Sequence, residues 1–255
     1  MSHISFSEMK IWKECSYRHK LEYLDGLRSF EGNEFTAFGT AIHSYCESAL
    51  VKEVKNPTEL FQKEFVKEVE KLLKKDIELD QKLLNQMEGQ GEGILPEILP
   101  SFKDCFGNFK VLKTEEMLYE DIDDHEKKFK GYIDLVIQTE DGKIHIIDHK
   151  SCSWGWDMRK KSEPMITYQL TLYKHFWAKK HNVDPDNIET HFALLKRTAK
   201  KNRVEIFRVT SGPRKTASAL QVLDQALKNI EAGRSIKNRL SCNKYCPFYN
   251  TENCL

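Results

Sequence analysis

The run Gly131-Tyr132-Ile133-Asp134-Leu135-Val136-Ile137 turns through Glu140-Asp141-Gly142 into Ile144-His145-Ile146-Ile147-Asp148-His149-Lys150. Both arms are rich in Ile, Val and Tyr, and Asp-Gly between such arms is a strong hairpin signal. The pattern predicts a β-hairpin with one acid on each strand. Strand side chains repeat every second residue, so Asp148 and Lys150 share a face. A carboxylate is costly to bury unless something compensates it. Two carboxylates and a lysine at strand ends therefore suggest a metal ion and a reaction that needs one. Acids at strand ends are also commonly solvated, so the hairpin takes its meaning from its surroundings.

Downstream, Trp154, Trp156, Arg159, Lys160 and Lys161 form a loop that mixes aromatic and basic residues. Such a mixture suits stacking on bases and contact with phosphates, and equally an ordinary surface loop. Pro164 opens a helix on which Gln169 and Tyr173, four apart, share a face. Two strands follow, over 188–196 and 203–209. Between them Lys196-Arg197-Thr198-Ala199-Lys200-Lys201-Asn202-Arg203 is the densest basic run of the chain, a candidate phosphate-facing loop or a solvated turn. A last helix runs from Pro213 to about Ala232.

Upstream, Ser5-x-x-Glu8 has the capping-box pattern, and a locally basic helix carrying Cys15 follows. Phe38-Gly39-Thr40-Ala41-Ile42-His43 opens a second helix, with Glu47 on the face of His43. A helical period runs from Pro57 to Leu84, and Gly89, Gly91, Gly93, Pro96 and Pro100 are expected to interrupt it. The stretch 51–108 reads as a helical insertion with a flexible corner. A strand is expected over 109–122. It carries Glu115 and Glu116, and parity alone does not choose which of them meets Asp134.

The totals set bounds. The chain has 255 residues, a formal charge of +1 and 31% charged residues, so nucleic-acid binding must come from local patches. No apolar run is long enough to cross a bilayer, and the N-terminus lacks a secretory pattern, which leads to an expected location in the cytoplasm, or in a host's cytoplasm if the protein is viral. Of seven cysteines, Cys242, Cys246 and Cys254 crowd the tail. Together with Cys15, if the chain ends meet, they form a candidate four-thiolate site for zinc or iron–sulfur.

These motifs, in this order, resemble the PD-(D/E)xK nuclease superfamily, in the branch of the RecB nuclease domain and Cas4. The carriers are Gly39 to His43 (Gly-x-x-x-His), Gly131 to Asp134 (Gly-x-(I/V)-Asp), Asp148-His149-Lys150 ((D/E)-x-K) and Gln169-x-x-x-Tyr173, after the Cys15 segment. The resemblance spans nearly the whole chain. It implies an α/β fold of the restriction-endonuclease type, a central mixed β-sheet flanked by helices, with the 51–108 insertion and a Cys-rich tail at 240–255 packed on the N-terminal helix in one domain, 1–255. It implies Asp134, Asp148, Lys150, Gln169 and Tyr173 as catalytic residues. His43, Asp134, Asp148 and the backbone carbonyl of His149 would ligate Mg2+ or Mn2+. Arg159, Lys160, Lys161, Lys196, Arg197, Lys200 and Lys201 would meet DNA. Cys15, Cys242, Cys246 and Cys254 would hold a [4Fe–4S] cluster, with Zn2+ as the alternative. The tail spacing, C-x3-C-x7-C, is longer than the family's usual C-x2-C-x5-C. The implied activity is a metal-dependent deoxyribonuclease, in form a single-strand exonuclease of recombination, repair or replication, with a helicase or other recombination partner and no membrane. A non-catalytic DNA-binding or assembly subunit of a recombination or CRISPR-adaptation complex is the alternative. A metal-dependent hydrolase of small phosphates is a further rival that the basic loops and the Gln169 helix disfavour.

Overall fold

The two arms of the hairpin pair antiparallel, and the turn between them places Gly142 at φ 83°, a left-handed conformation that glycine adopts without steric cost. The structure, a computed structural model, describes residues 2–27 and 30–254. Positions 1 and 255, the ends of the expected 1–255 domain and of the tail, lie outside the described residues. In chain order the elements are β1 (His3–Ser5), α1 (Phe6–Glu14), α2 (Ser16–His19), α3 (Glu34–Val51), α4 (Pro57–Leu73), α5 (Gln81–Phe106), β2 (Phe109–Asp121), β3 (Lys128–Thr139), β4 (Ile144–Cys152), α6 (Met158–Ser162), α7 (Pro164–His181), β5 (Ile188–Lys196), β6 (Val204–Val209) and α8 (Pro213–Glu231). Single π- and 3-10 turns fill the short gaps. The strands form one mixed sheet in the order β1-β3-β4-β5-β6, with β2 on β3. β4 and β5 run parallel, as do β1 and β3, while β3/β4 and β5/β6 are antiparallel. This is the mixed sheet flanked by helices that the sequence predicts. No helix among the described residues is long and apolar enough to cross a membrane.

The residues cluster into two compact units. The first comprises Met1–Phe30, Met117–Gly131 and Gly212–Leu255. The second comprises Glu31–Glu116 and Tyr132–Ser211, and it carries the hairpin acids. Its core joins Phe38, Ile42, Phe61, Phe65, Ile94, Ile98 and Phe102 from α3 to α5 with Leu135, Ile137, Ile147, Ala193 and Leu195 from the strands. Period-2 alternation sends Ile146, Asp148 and Lys150 to the opposite face, against α7.

The segment 57–106 differs from the expected single interrupted helix. It forms two helices, with the break at 74–80, where Asp80 caps α5 by accepting from the backbone of Lys82 and Leu83. The three glycines and two prolines lie inside α5. Two of the glycines allow close approach: a Cβ on Gly91 would sit 2.2 Å from the ring of fully buried Phe61 on α4, and one on Gly93 would sit 2.8 Å from the Arg203 guanidinium. Packing of α4 against α5 at this point outweighs the helix propensity that glycine forfeits.

In the first unit Ser5 caps α1 by accepting from the Glu8 backbone at 3.2 Å. The Glu8 side chain does not complete a capping box. It is buried against His19 Nε2 at 2.9 Å. Cys15 occupies the break between α1 and α2 as the cap of both.

Candidate active site

Asp134 sits where the β3/β4 ladder opens. The pairing is regular at Leu135↔Ile147, and one rung further Asp134 would stand opposite Asp148. There the backbone N–H of His149 donates to Asp134 Oδ2 at 2.7 Å instead of continuing the ladder. His43, delivered by α3, brings Nδ1 to 3.6 Å from the same oxygen, as does the ring of His149. Asp148 is buried. Its Oδ1 accepts from Gln169 Nε2 at 2.8 Å, and Lys150 Nζ lies 2.6 Å from Oδ2. Gln169 Nε2 also lies 3.2 Å from the Tyr173 hydroxyl. His43, Asp134, Asp148, His149, Lys150, Gln169 and Tyr173 thus converge.

The charges at this place are unbalanced. Burial raises the Asp148 carboxyl; Lys150 opposes the shift and Asp134 adds to it. Burial would also raise Asp134, but His149, His43 and Lys150 outweigh it and hold this carboxyl below the usual range. Burial keeps the His43 imidazole neutral, down at about 4 despite Asp134 beside it.

Two further acids belong here. Glu115 lies in β2 with φ at +46°, a left-handed conformation that is uncommon for a residue other than glycine. Desolvation, with Asp134 of β3 and Glu47 of α3 nearby, pushes its carboxyl up to about 7. Glu47 is raised as well, first by desolvation. Glu116 points elsewhere: it accepts from Trp177 Nε1 at 2.7 Å, Lys180 Nζ at 2.9 Å and His181 Nε2 at 2.6 Å on α7. Sequence parity could not separate the two because it does not fix the register of β2 against β3. The i, i+4 spacing of His43 and Glu47 was the available signal for Glu47.

Several carboxylates, three of them raised, beside the His43 and His149 rings form a surplus of negative charge. Such an oxygen-rich donor set fits a hard divalent cation.

The basic residues divide. Arg159, Lys160, Lys200 and Lys201 are exposed. Lys161 and Lys196 both pair with Glu205. Arg197 is buried: it donates to Gln90 Oε1 at 3.0 Å and Ser153 Oγ at 2.9 Å, and lies over the rings of Phe35 and Phe38. It packs the second unit and does not face solvent. Trp154 is exposed, whereas Trp156 packs on Phe192 and carries Lys160 over its ring.

In the first unit Cys15, Cys242, Cys246 and Cys254 line one small cavity with Arg18 and Lys237. Cys15 Sγ receives backbone N–H groups from Arg18 at 3.5 Å and Asn238 at 3.4 Å. Four sulfurs around one cavity, one of them hydrogen-bonded by amides and two cations beside it, fit a thiolate-held metal group.

A family model described as the PD-(D/E)XK nuclease superfamily matches residues 3–251. Among solved structures, a protein of Eubacterium rectale described as "Putative exonuclease" superposes with a TM-score of 0.62 at 15% identity, covering 96% of this chain and 87% of that one. The structure of SSO0001 covers 91% of each chain at 14% identity with a TM-score of 0.38. No curated protein matches the chain in sequence.

Proposed function

Because this chain belongs to the PD-(D/E)XK nuclease superfamily, we propose that it is a Mg2+- or Mn2+-dependent deoxyribonuclease acting on single-stranded DNA from an end, within the RecB-nuclease and Cas4-like branch. The observation that carries the reading is the meeting of Asp134, Asp148 and Lys150 in one cleft, with Gln169 fixing Asp148. Asp134, Asp148, His43 and the His149 carbonyl would hold the divalent ion. When bound, it polarises the phosphoryl oxygen and steadies the leaving alkoxide. Lys150 orients the attacking water and offsets charge on the phosphate. Gln169 keeps the Asp148 carboxylate turned toward the cleft, and Tyr173 supports Gln169. Glu115, which gives up its proton near neutrality, joins Glu47 as a further acid at the site.

Arg159, Lys160, Lys200 and Lys201, with exposed Trp154, are the residues proposed to contact DNA. Cys15, Cys242, Cys246 and Cys254 are proposed to hold a [4Fe–4S] cluster that pins the tail to the N-terminal helices. A role in recombination, repair or replication beside a helicase or a similar partner follows from the same branch.

The test is cleavage of end-labelled single- and double-stranded oligonucleotides with Mg2+, Mn2+ or chelator. The reading expects metal-dependent shortening of the single strand from an end and none in chelator. Equal activity in chelator, or none with either ion, would overturn it.

A further inference from the structure

Three residues before Asp148, about 10 Å along β4 at strand spacing, a different group of side chains gathers beneath α5. It consists of His145 at the start of β4 with Glu189 and His191 at the start of β5. The parallel register sets His145 beside Glu189 and Ile147 beside His191, so all three occupy one face. Phe106 of α5 covers both rings at centroid distances of 4.9 and 5.0 Å.

His145 Nδ1 lies 3.1 Å from His191 Nε2, and Glu189 Oε2 lies 3.9 and 3.7 Å from these two nitrogens. The circle through the three atoms has a radius of about 2.1 Å, the length of zinc–imidazole and zinc–carboxylate bonds. One ion reaches all three atoms without moving any of them.

The groups around the triangle aim the donors inward. The Thr139 hydroxyl donates to Asp141 Oδ1, so its oxygen accepts from His145 Nε2 at 3.1 Å. That fixes the tautomer of His145 with its lone pair on Nδ1, toward the triangle. Arg208 Nη2 lies 3.1 Å from Glu189 Oε1 and Lys143 Nζ 3.9 Å from it, which leaves Oε2 for the interior. The His191 ring is almost fully buried, and its Nδ1 has no hydrogen-bond partner. As a hydrogen-bonded pair alone, the two imidazoles would be a poor use of buried polar groups; as ligands both present a lone pair to one point.

We propose that His145, His191 and Glu189 form a second metal site, one that takes Zn2+ or a similar borderline transition ion and clamps the starts of β4 and β5 under α5. Two imidazoles and one carboxylate select against Mg2+. The site does not depend on the nuclease reading.

The experiment strips the 255-residue chain with chelator, returns ZnCl2, and measures bound zinc and melting temperature. Wild type should gain about one zinc per chain at this site and melt higher. Asp148→Asn and the pair Cys242→Ser/Cys246→Ser should keep that gain. His191→Gln should lose it, and Glu189→Gln should weaken zinc binding by roughly 10- to 100-fold. If His191→Gln does not fold, Glu189→Gln decides, since Glu189 is partly exposed. A folded Glu189→Gln or His191→Gln protein, judged by circular dichroism, that binds as much zinc as wild type overturns the proposal. So does a zinc-soaked crystal with no anomalous peak between the three side chains.

Discussion

At the scale of single residues, the cleft is a contest between burial and compensation. Asp148 is pushed toward its neutral form by burial and toward its charged form by Lys150. Removing Lys150 therefore takes away both the nearest positive charge on Asp148 and the group proposed to orient water. Lys150→Ala is expected to lower oligonucleotide cleavage roughly 100-fold or more, with the circular dichroism spectrum unchanged; wild-type rates in that variant would remove the assignment. The basic residues make a second case. Arg197 looked the same in sequence as Lys200 and Lys201, yet only the lysines meet solvent. Lys200→Ala with Lys201→Ala should weaken binding to single-stranded DNA and reduce the slope of log K against log salt by about 0.7 for each phosphate left without its lysine. A titration across salt concentrations reads this directly, and an unchanged slope would exclude the loop.

At the scale of elements, two contacts show how neighbouring elements are held together. α4 and α5 approach closely because Gly91 has no side chain where Phe61 lies. Gly91→Ala is expected to cost about 1–3 kcal/mol by overpacking, although alanine is the better helix former on an exposed surface. Urea unfolding would show it; a gain in stability would mean that the two helices separate freely. Glu116 ties β2 to α7 through Trp177, Lys180 and His181. Burial would raise this carboxyl, but the three donors outweigh it and hold it below its ordinary value. A depressed carboxyl contributes stability that is complete above the ordinary glutamate value of 4.5 and is lost as pH falls through the folded value. Glu116→Gln should therefore be less stable than wild type by about 1–3 kcal/mol at neutral pH, and the gap should close in acid. Unfolding curves at neutral pH and near pH 3 test both halves; a gap that stays constant would assign the effect to shape alone.

At the scale of the whole molecule, a chain with a net charge of +1 has to concentrate its chemistry in a few places. One is the cysteine cavity. Anaerobically purified protein is expected to be brown, with broad absorbance in the violet-blue that Cys246→Ser abolishes; a colourless wild type containing zinc would favour the alternative ion. Local patterns specified the hairpin and the order of the family motifs, and the mixed sheet came with the resemblance those motifs carry. Those features depend on short-range rules: alternation along a strand, the Asp-Gly turn, and spacing along a helix. They place Asp148 and Lys150 on one face whatever the rest of the chain does. Packing between distant segments settled matters that no local rule reaches. Asp134 acts on Glu115 rather than Glu116, which is held instead by Trp177, Lys180 and His181 of α7. Gly91 and Gly93 lie inside a helix because a phenylalanine and an arginine from distant segments lie against them. Arg197 is withdrawn into packing, and His145, Glu189 and His191 meet at one point, because parallel strands bring together residues more than 40 positions apart. Pairing of that kind depends on register between segments, and a single sequence does not carry it.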